Sequence, residues 1–135
     1  MIVKPDGVAK QHIGEIVAFL EKNDLEIIGM RMVKLTAAVA GKFYDIHEGK
    51  PFYNDLLDYM TSGRVVVIAV QGDDAVTRMR KIIGATNPAE ADEGTIRKLY
   101  AKSIESNAVH GSDSPENGLR EVGFFFAEQD LIAVS

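Results

Sequence analysis

The chain predicts an α+β fold, a four-stranded antiparallel sheet with helices packed on it. Two segments read as strands of ordinary length, "LEIIGMRMVKL" from Leu25 and "RVVVIAVQG" from Arg64. Around them run stripes of apolar residues at helical spacing. At 135 residues the chain has the size of one ordinary domain with a single core, so one domain over residues 1–135 is expected.

In chain order, only Met1, Ile2 and Val3 precede "KPDG". A first strand there is shorter than the usual ~5 or 6 residues, as if trimmed at its start or stunted. Ile13, Ile16, Val17 and Leu20 form one helical stripe, which should stop near Asn23 and Asp24. The strand from Leu25 carries Ile28, Met30 and Met32 on one face and Ile27, Val33 and Leu35 on the other. With both faces partly apolar, helices should cover one side and a partner subunit or an edge loop the other.

Thr36 is placed to cap a helix carrying Val39, Phe43 and Ile46 at core spacing, with Tyr44 off that stripe. Tyr53, Leu56, Leu57 and Met60 give the next stripe, stopped by "TSG". The six consecutive apolar residues of "VVVIAV" read as a central buried strand. Asp73 and Asp74 should cap a helix that turns Val76, Met79 and Ile83 inward. The eleven residues "GATNPAEADEG" have turn chemistry without a period and form a long loop, a common place for function. "TIRKLYAKSI" reads as a short helix, "SNAVH" as a short strand, and Ser114-Pro115 as a helix start with Leu119, Val122 and Phe126 inward. The layout is βαββαβ, with the helices expected on one face of the sheet.

Composition excludes several function classes. No apolar run reaches the ~18 residues of a membrane span, and the start has no basic segment followed by a long apolar one. With no cysteine, disulfides, thiolate metal sites and thiol catalysis are ruled out, and a cytoplasmic address is the default. A net charge of −5 argues against general nucleic-acid binding, so an anionic ligand must meet a local cluster of Lys and Arg.

Neither G-x-G-x-x-G nor G-x-x-x-x-G-K-[ST] occurs. His12, His47 and His110 fall on three different elements, without the spacing of a zinc site. His110 stands at a strand end before "GSDS". A histidine nucleophile needs one ring nitrogen unprotonated and the other held by an acceptor; Glu121 on the next helix, supported by Ser112, can be that acceptor. The same residues also compose an ordinary polar turn. Lys4, Arg80 and Arg97 can converge on a phosphate or stand as separate solvated charges. Phe52 and Tyr44 can serve a base and a phosphate, or the core.

Four separated phrases go further: "VKPDGV" at 3–8, "GATNPAEA" at 84–91, "GTIR" at 94–97 and "NAVHGSDSPE" at 107–116. In this order and spacing, with "GKFY", "KPF" and "MTSG" between them, the chain resembles the nucleoside diphosphate kinase family over essentially its whole length. The resemblance implies a ferredoxin-like fold and a homo-oligomer built on dimers. It implies transfer of the terminal phosphate of a nucleoside triphosphate to a nucleoside diphosphate, by a ping-pong route through a phosphohistidine. His110 is then the nucleophile, Glu121 orients its ring with help from Ser112, Lys4 binds phosphate and Tyr44 lies beside the histidine. Arg80, Arg97 and Thr86 take the remaining phosphate contacts, and Asn107 the sugar hydroxyl. Phe52 stacks on the base, with Ile104 as the opposite apolar wall, and Gly111 lets the backbone approach the phosphate.

Mg²⁺ is the implied cofactor, held mainly through the substrate phosphates rather than by protein ligands. A base held by stacking alone implies broad base tolerance. The chain departs from the family in its short start, in Arg64 where Pro is usual, in Glu93 where Pro or Ala is usual, and in a short tail. Two rival readings differ in chemistry. A phosphohistidine phosphatase or mutase would carry Arg-His-Gly, but Val109 precedes His110. The other is a ferredoxin-like binding module for RNA or a regulatory ligand; the acidic charge and the lack of aromatic residues alternating with basic ones on a strand count against RNA.

Overall fold

The computed structural model describes residues 1–132. The strands are β1 (Ile2–Val3), β2 (Glu26–Lys34), β3 (Arg64–Gln71) and β4 (Val109–His110). The helices are α1 (Pro5–Ala9), α2 (Ile13–Lys22), α3 (Ala37–Phe43), α4 (Tyr53–Met60), α5 (Ala75–Ile83), α6 (Ile96–Tyr100) and α7 (Pro115–Phe125). The sheet order is β2-β3-β1-β4 with antiparallel neighbours, the ferredoxin-like arrangement in which β3 lies between β1 and β2.

Helices cover both faces of this sheet, not one. Val66 and Ile68 of β3 pack with Ile16, Leu20, Met79 and Ile83, whereas Val65, Val67 and Ala69 pack with Phe43, Tyr44, Met60 and Phe126. The cause is the unbroken apolar run of β3, which puts apolar side chains on both sides of the pleat. The second cover is therefore the chain's own α3, α4 and the segment after α7, rather than a partner or an edge loop.

A bulge in β2 changes the expected faces. Ile27 pairs with Val70 and Gly29 with Ala69, leaving Ile28 as the extra residue. Ile28 consequently joins Val33 and Leu35 at the second core, while Ile27 packs on the first. An inserted residue reverses the parity only of what precedes it; Met30 and Met32 follow it and are 51% and 50% exposed on this edge strand.

Other boundaries differ as well. α3 ends at Phe43 and a 3₁₀ turn, Asp45–His47, follows; Tyr44 is buried, and Val39 and Ile46 are exposed. The buried side is therefore Ala40, Phe43 and Tyr44. Thr36 caps α3 and Ser114 caps α7 through their hydroxyls, at 3.2 and 3.1 Å. Asp74, by contrast, sits in a left-handed conformation and caps α5 with no side-chain bond. Leu119 is 78% exposed rather than inward: it borders an open groove beside Val76 and Val122. α6 and β4 are shorter than expected, α1 is an addition to the expected layout, and the long loop contains a 3₁₀ turn at Pro88–Glu90. No described helix is long and apolar enough to cross a membrane.

Candidate active site

β1, β4, α6 and the loop after α5 meet at one end of the sheet, and the α3–α4 hairpin stands over them. Between them lies an open cleft of about 550 Å³ lined by every residue given a site role from the sequence except Ser112. Ser112 is buried behind the cleft, where its Oγ donates to Glu121 Oε1 at 2.9 Å.

His110 ends β4 and points its Nε2 at the same Glu121 oxygen, 2.6 Å away. The carboxylate is an acceptor only, so Nε2 carries the proton and Nδ1 is the basic nitrogen. Burial holds the His110 pKa below its ordinary value, with Glu121 opposing. Burial alone would raise Glu121, but the bond and charge of His110 and the Ser112 hydroxyl bring it below the usual range. The pair is thus a neutral imidazole oriented by a carboxylate at neutral pH. Phe43 and Tyr44 set their rings edge-on to the imidazole, at 5.5 and 6.1 Å.

Lys4 closes β1 and is buried, its Nζ donating to Asn107 Oδ1 at 2.8 Å. Burial first and Arg97 second pull its pKa down to about 8, against the pull of Asp6. Arg97, also buried in α6, donates to the carbonyls of Gly84 at 3.1 Å and Val109 at 3.0 Å. Its pKa is lowered to about 10 by burial and by Arg80. Arg80 reaches the Gly111 carbonyl at 3.3 Å. Among the described residues, none of these three cations has a carboxylate partner within 4.0 Å. Converged, unneutralised positive charge in a half-buried cleft calls for an anion.

Asn107 Nδ2 donates to the Thr86 carbonyl at 3.3 Å and so ties the long loop to β4. Tyr44 is buried with its hydroxyl unpartnered, and burial and Glu121 push its pKa up, so it remains a donor. Phe52 and Ile104 are 47% and 55% exposed at the mouth. Packing also favours glycine at 111: a Cβ there would lie 2.6 Å from Ile83 Cδ1, so that buried side chain would have to shift.

Sequence reasoning missed His47, Asp113, Asn117 and Arg120, which also line the cleft. His47 lies 5.3 Å from the Phe52 ring and stacks on Tyr44, with its Nδ1 buried and unpartnered. Its spacing of three from Tyr44 was the available signal. Arg120 bonds Asp45 at 3.1 Å, fastening α7 to the hairpin, and nothing local in the sequence marks it. Glu93 is exposed and does not border the cleft.

The family model described as "Nucleoside diphosphate kinase" matches residues 1–131. The chain belongs to the nucleoside diphosphate kinase family. It is 52% identical over 131 residues to the nucleoside diphosphate kinase of a Nitratiruptor species, covering 97% of this chain and 96% of that one. The enzyme of Chlamydia trachomatis serovar A is 53% identical, with 97% and 93% covered. Among solved structures, the Aquifex aeolicus nucleoside diphosphate kinase superposes with a TM-score of 0.95 at 36% identity, covering 97% of this chain and 95% of that one. The Halobacterium salinarum enzyme in complex with CDP gives 0.95 and 36%, with 99% and 90% covered. As a member of the nucleoside diphosphate kinase family the chain is an enzyme, a nucleotide-binding phosphotransferase.

Proposed function

We propose that this kinase works by a ping-pong reaction in which His110 carries the phosphoryl group between two nucleotides. The supporting observation is the 2.6 Å bond from His110 Nε2 to Glu121, which leaves Nδ1 as the basic nitrogen beside three unneutralised cations. In the first half-reaction Nδ1 attacks the terminal phosphorus of a nucleoside triphosphate. An N–P bond forms, the bond to the bridging oxygen breaks, and the nucleoside diphosphate leaves with that oxygen. The ring becomes cationic on phosphorylation, and Glu121 stabilises it through Nε2–H. In the second, a terminal phosphate oxygen of another nucleoside diphosphate attacks the same phosphorus and His110 returns neutral. CDP in the Halobacterium structure is a nucleoside diphosphate, the proposed acceptor class.

A phosphoryl group in flight spreads charge over three oxygens, so catalysis consists mainly of positioning and neutralising them. Lys4, Arg80, Arg97, Thr86 and the Tyr44 hydroxyl take that part, and Asn107 takes the sugar hydroxyl. Phe52 stacks on the base against Ile104. Neither offers an edge hydrogen bond, which is the ground for broad base tolerance. Among the described residues no group of three or more His, Cys, Asp or Glu is placed to cage a metal. Mg²⁺ held through the substrate phosphates would supply further positive charge. An oligomer built on dimers is supported by β2, an edge strand with Met30 and Met32 half exposed, and a cytoplasmic location goes with the nucleotide substrates.

The test supplies a triphosphate of one base and a diphosphate of another. Exchange should occur, with an acid-labile, base-stable phosphoprotein trapped when the acceptor is left out. A His110→Ala chain that exchanges phosphate like the parent, or net phosphate release without an acceptor, sinks the reading.

A further inference from the structure

Asn107 and His110 both line the cleft although they are three residues apart. In an uninterrupted strand, side chains an odd number of residues apart point to opposite faces. The switch occurs at Ala108. Val109 N donates to the Asn107 carbonyl at 2.9 Å, closing a three-residue turn around Ala108 at φ +72°. This is a γ-turn of the rare, strained hand, carried by a residue with a Cβ.

Groups from outside the turn hold it. Lys4 N donates to the Ala108 carbonyl at 2.9 Å, and Ala108 N donates to Asp6 Oδ2 at 3.0 Å. The other Asp6 oxygen accepts from the Tyr59 hydroxyl, which in turn accepts from Asp6 N at 3.2 Å. Gly7 makes the approach feasible: a Cβ there would lie 3.0 Å from the Ala108 carbonyl oxygen and 2.9 Å from Val3 Cγ1. Neither Asp6 nor Tyr59 lines the cleft.

We propose that Asp6 and Tyr59 are positioning residues, a brace that holds the strained turn at Ala108 and thereby aims Asn107 and His110 into one site. The proposal rests on the phosphohistidine reading of that site. Tyr59 on α4 aims the Asp6 carboxylate, the carboxylate fixes the Ala108 amide, and the amide sets the path of β4. Without the brace Ala108 relaxes toward negative φ, and His110 and Asn107 lose their shared direction. A displacement of about 1 Å in a reacting group lowers rate by as much as a hundred-fold.

The experiment compares the parent chain with Tyr59→Phe, Asp6→Asn and the double variant Tyr59→Phe/Ala108→Gly. Phosphoprotein formation in a single turnover and kcat for exchange are read at a temperature where circular dichroism shows each chain folded. The expected result is a fall of about ten- to a hundred-fold in both rates for the two single variants. Glycine at 108 adopts positive φ without strain, so the double variant should recover most of the rate. A merely structural role would lower the melting temperature and leave the rate per folded molecule unchanged, and that outcome overturns the proposal. So does a loss that Ala108→Gly fails to recover. Independently of activity, hydrogen exchange of the Ala108 amide should speed up at least ten-fold in Asp6→Ala, and unchanged exchange also overturns the brace. If the parent chain forms no phosphoprotein while the Ala108 amide behaves as expected, it is the phosphohistidine reading that has failed.

Discussion

Glu121 Oε1 lies 2.6 Å from His110 Nε2 and also accepts the Ser112 hydroxyl at 2.9 Å, so one carboxylate oxygen fixes the tautomer of the proposed nucleophile. Glu121→Gln keeps an acceptor in place but removes its charge, and charge assistance in such a bond is worth about 1–2 kcal/mol. Phosphorylation of His110 should slow about ten-fold. Ser112→Ala should slow it only a few-fold, since it removes a neutral donor. Rapid-quench trapping of the phosphoprotein measures both, and a Glu121→Gln rate equal to the parent's would remove Glu121 from the mechanism.

Lys4 supplies an alkaline limit. Its pKa of about 8 in the free enzyme means that the ammonium is charged at pH 7 and is lost as pH rises through about 8. The value of kcat/KM for a triphosphate should therefore fall across that range. Bound phosphate stabilises the ammonium, so the corresponding limb of kcat should lie at higher pH. Lys4→Met should lower kcat/KM and erase the limb, which a pH profile of initial rates will show.

His110 sets the acid side. Its folded pKa lies below the ordinary 6.5, because burial disfavours the imidazolium. The neutral nucleophile is then the predominant form at pH 7, and the acid limb of phosphorylation should lie below pH 6.5. The linkage has the same sign. The unfolded chain binds the proton more readily, so the His110 contribution to stability is present above about pH 6.5 and is lost as pH falls through the folded value. His110→Ala should flatten that part of a plot of urea midpoint against pH; an unaltered slope would assign the acid sensitivity elsewhere.

Phe52 is half exposed at the mouth of the cleft and has His47 against its edge at 5.3 Å. Stacking on a base is worth about 1–3 kcal/mol. Phe52→Ala should raise KM for purine and pyrimidine triphosphates about ten-fold each, with kcat affected less. Loss confined to one base would mean that an edge contact, and not the ring face, carries recognition.

Arg97 is fixed by its fork, one arm on Gly84 and the other on Val109. Lysine cannot make both bonds, and the two carbonyls lie in partly buried surroundings. Arg97→Lys should lower stability by about 2 kcal/mol and raise nucleotide KM. Denaturant melts and steady-state kinetics on one preparation separate the two effects.

The sequence by itself determined the order of strands and helices, the two long strands, the hydroxyl caps at Thr36 and Ser114, and most of the residues that line the cleft; that helices cover both faces of the sheet came only from the tertiary structure. Apolar periodicity and capping act over one or two helical turns, and the motif phrases survive as strings, so both are visible in one dimension. Only the tertiary structure decided the rest. The bulge at Ile28 reverses the faces of β2 because an extra residue changes the pairing with β3, a relation between two segments. Tyr44 is buried because α3 stops one residue before it and turns, which no stripe reveals. Arg120 and the Asp6–Tyr59 brace act across long stretches of chain, and what they do depends on a carboxylate or a carbonyl arriving from elsewhere. Local patterns fix which surfaces each element must bury; which polar groups then meet, and at what distance, is set by how those surfaces close on one another.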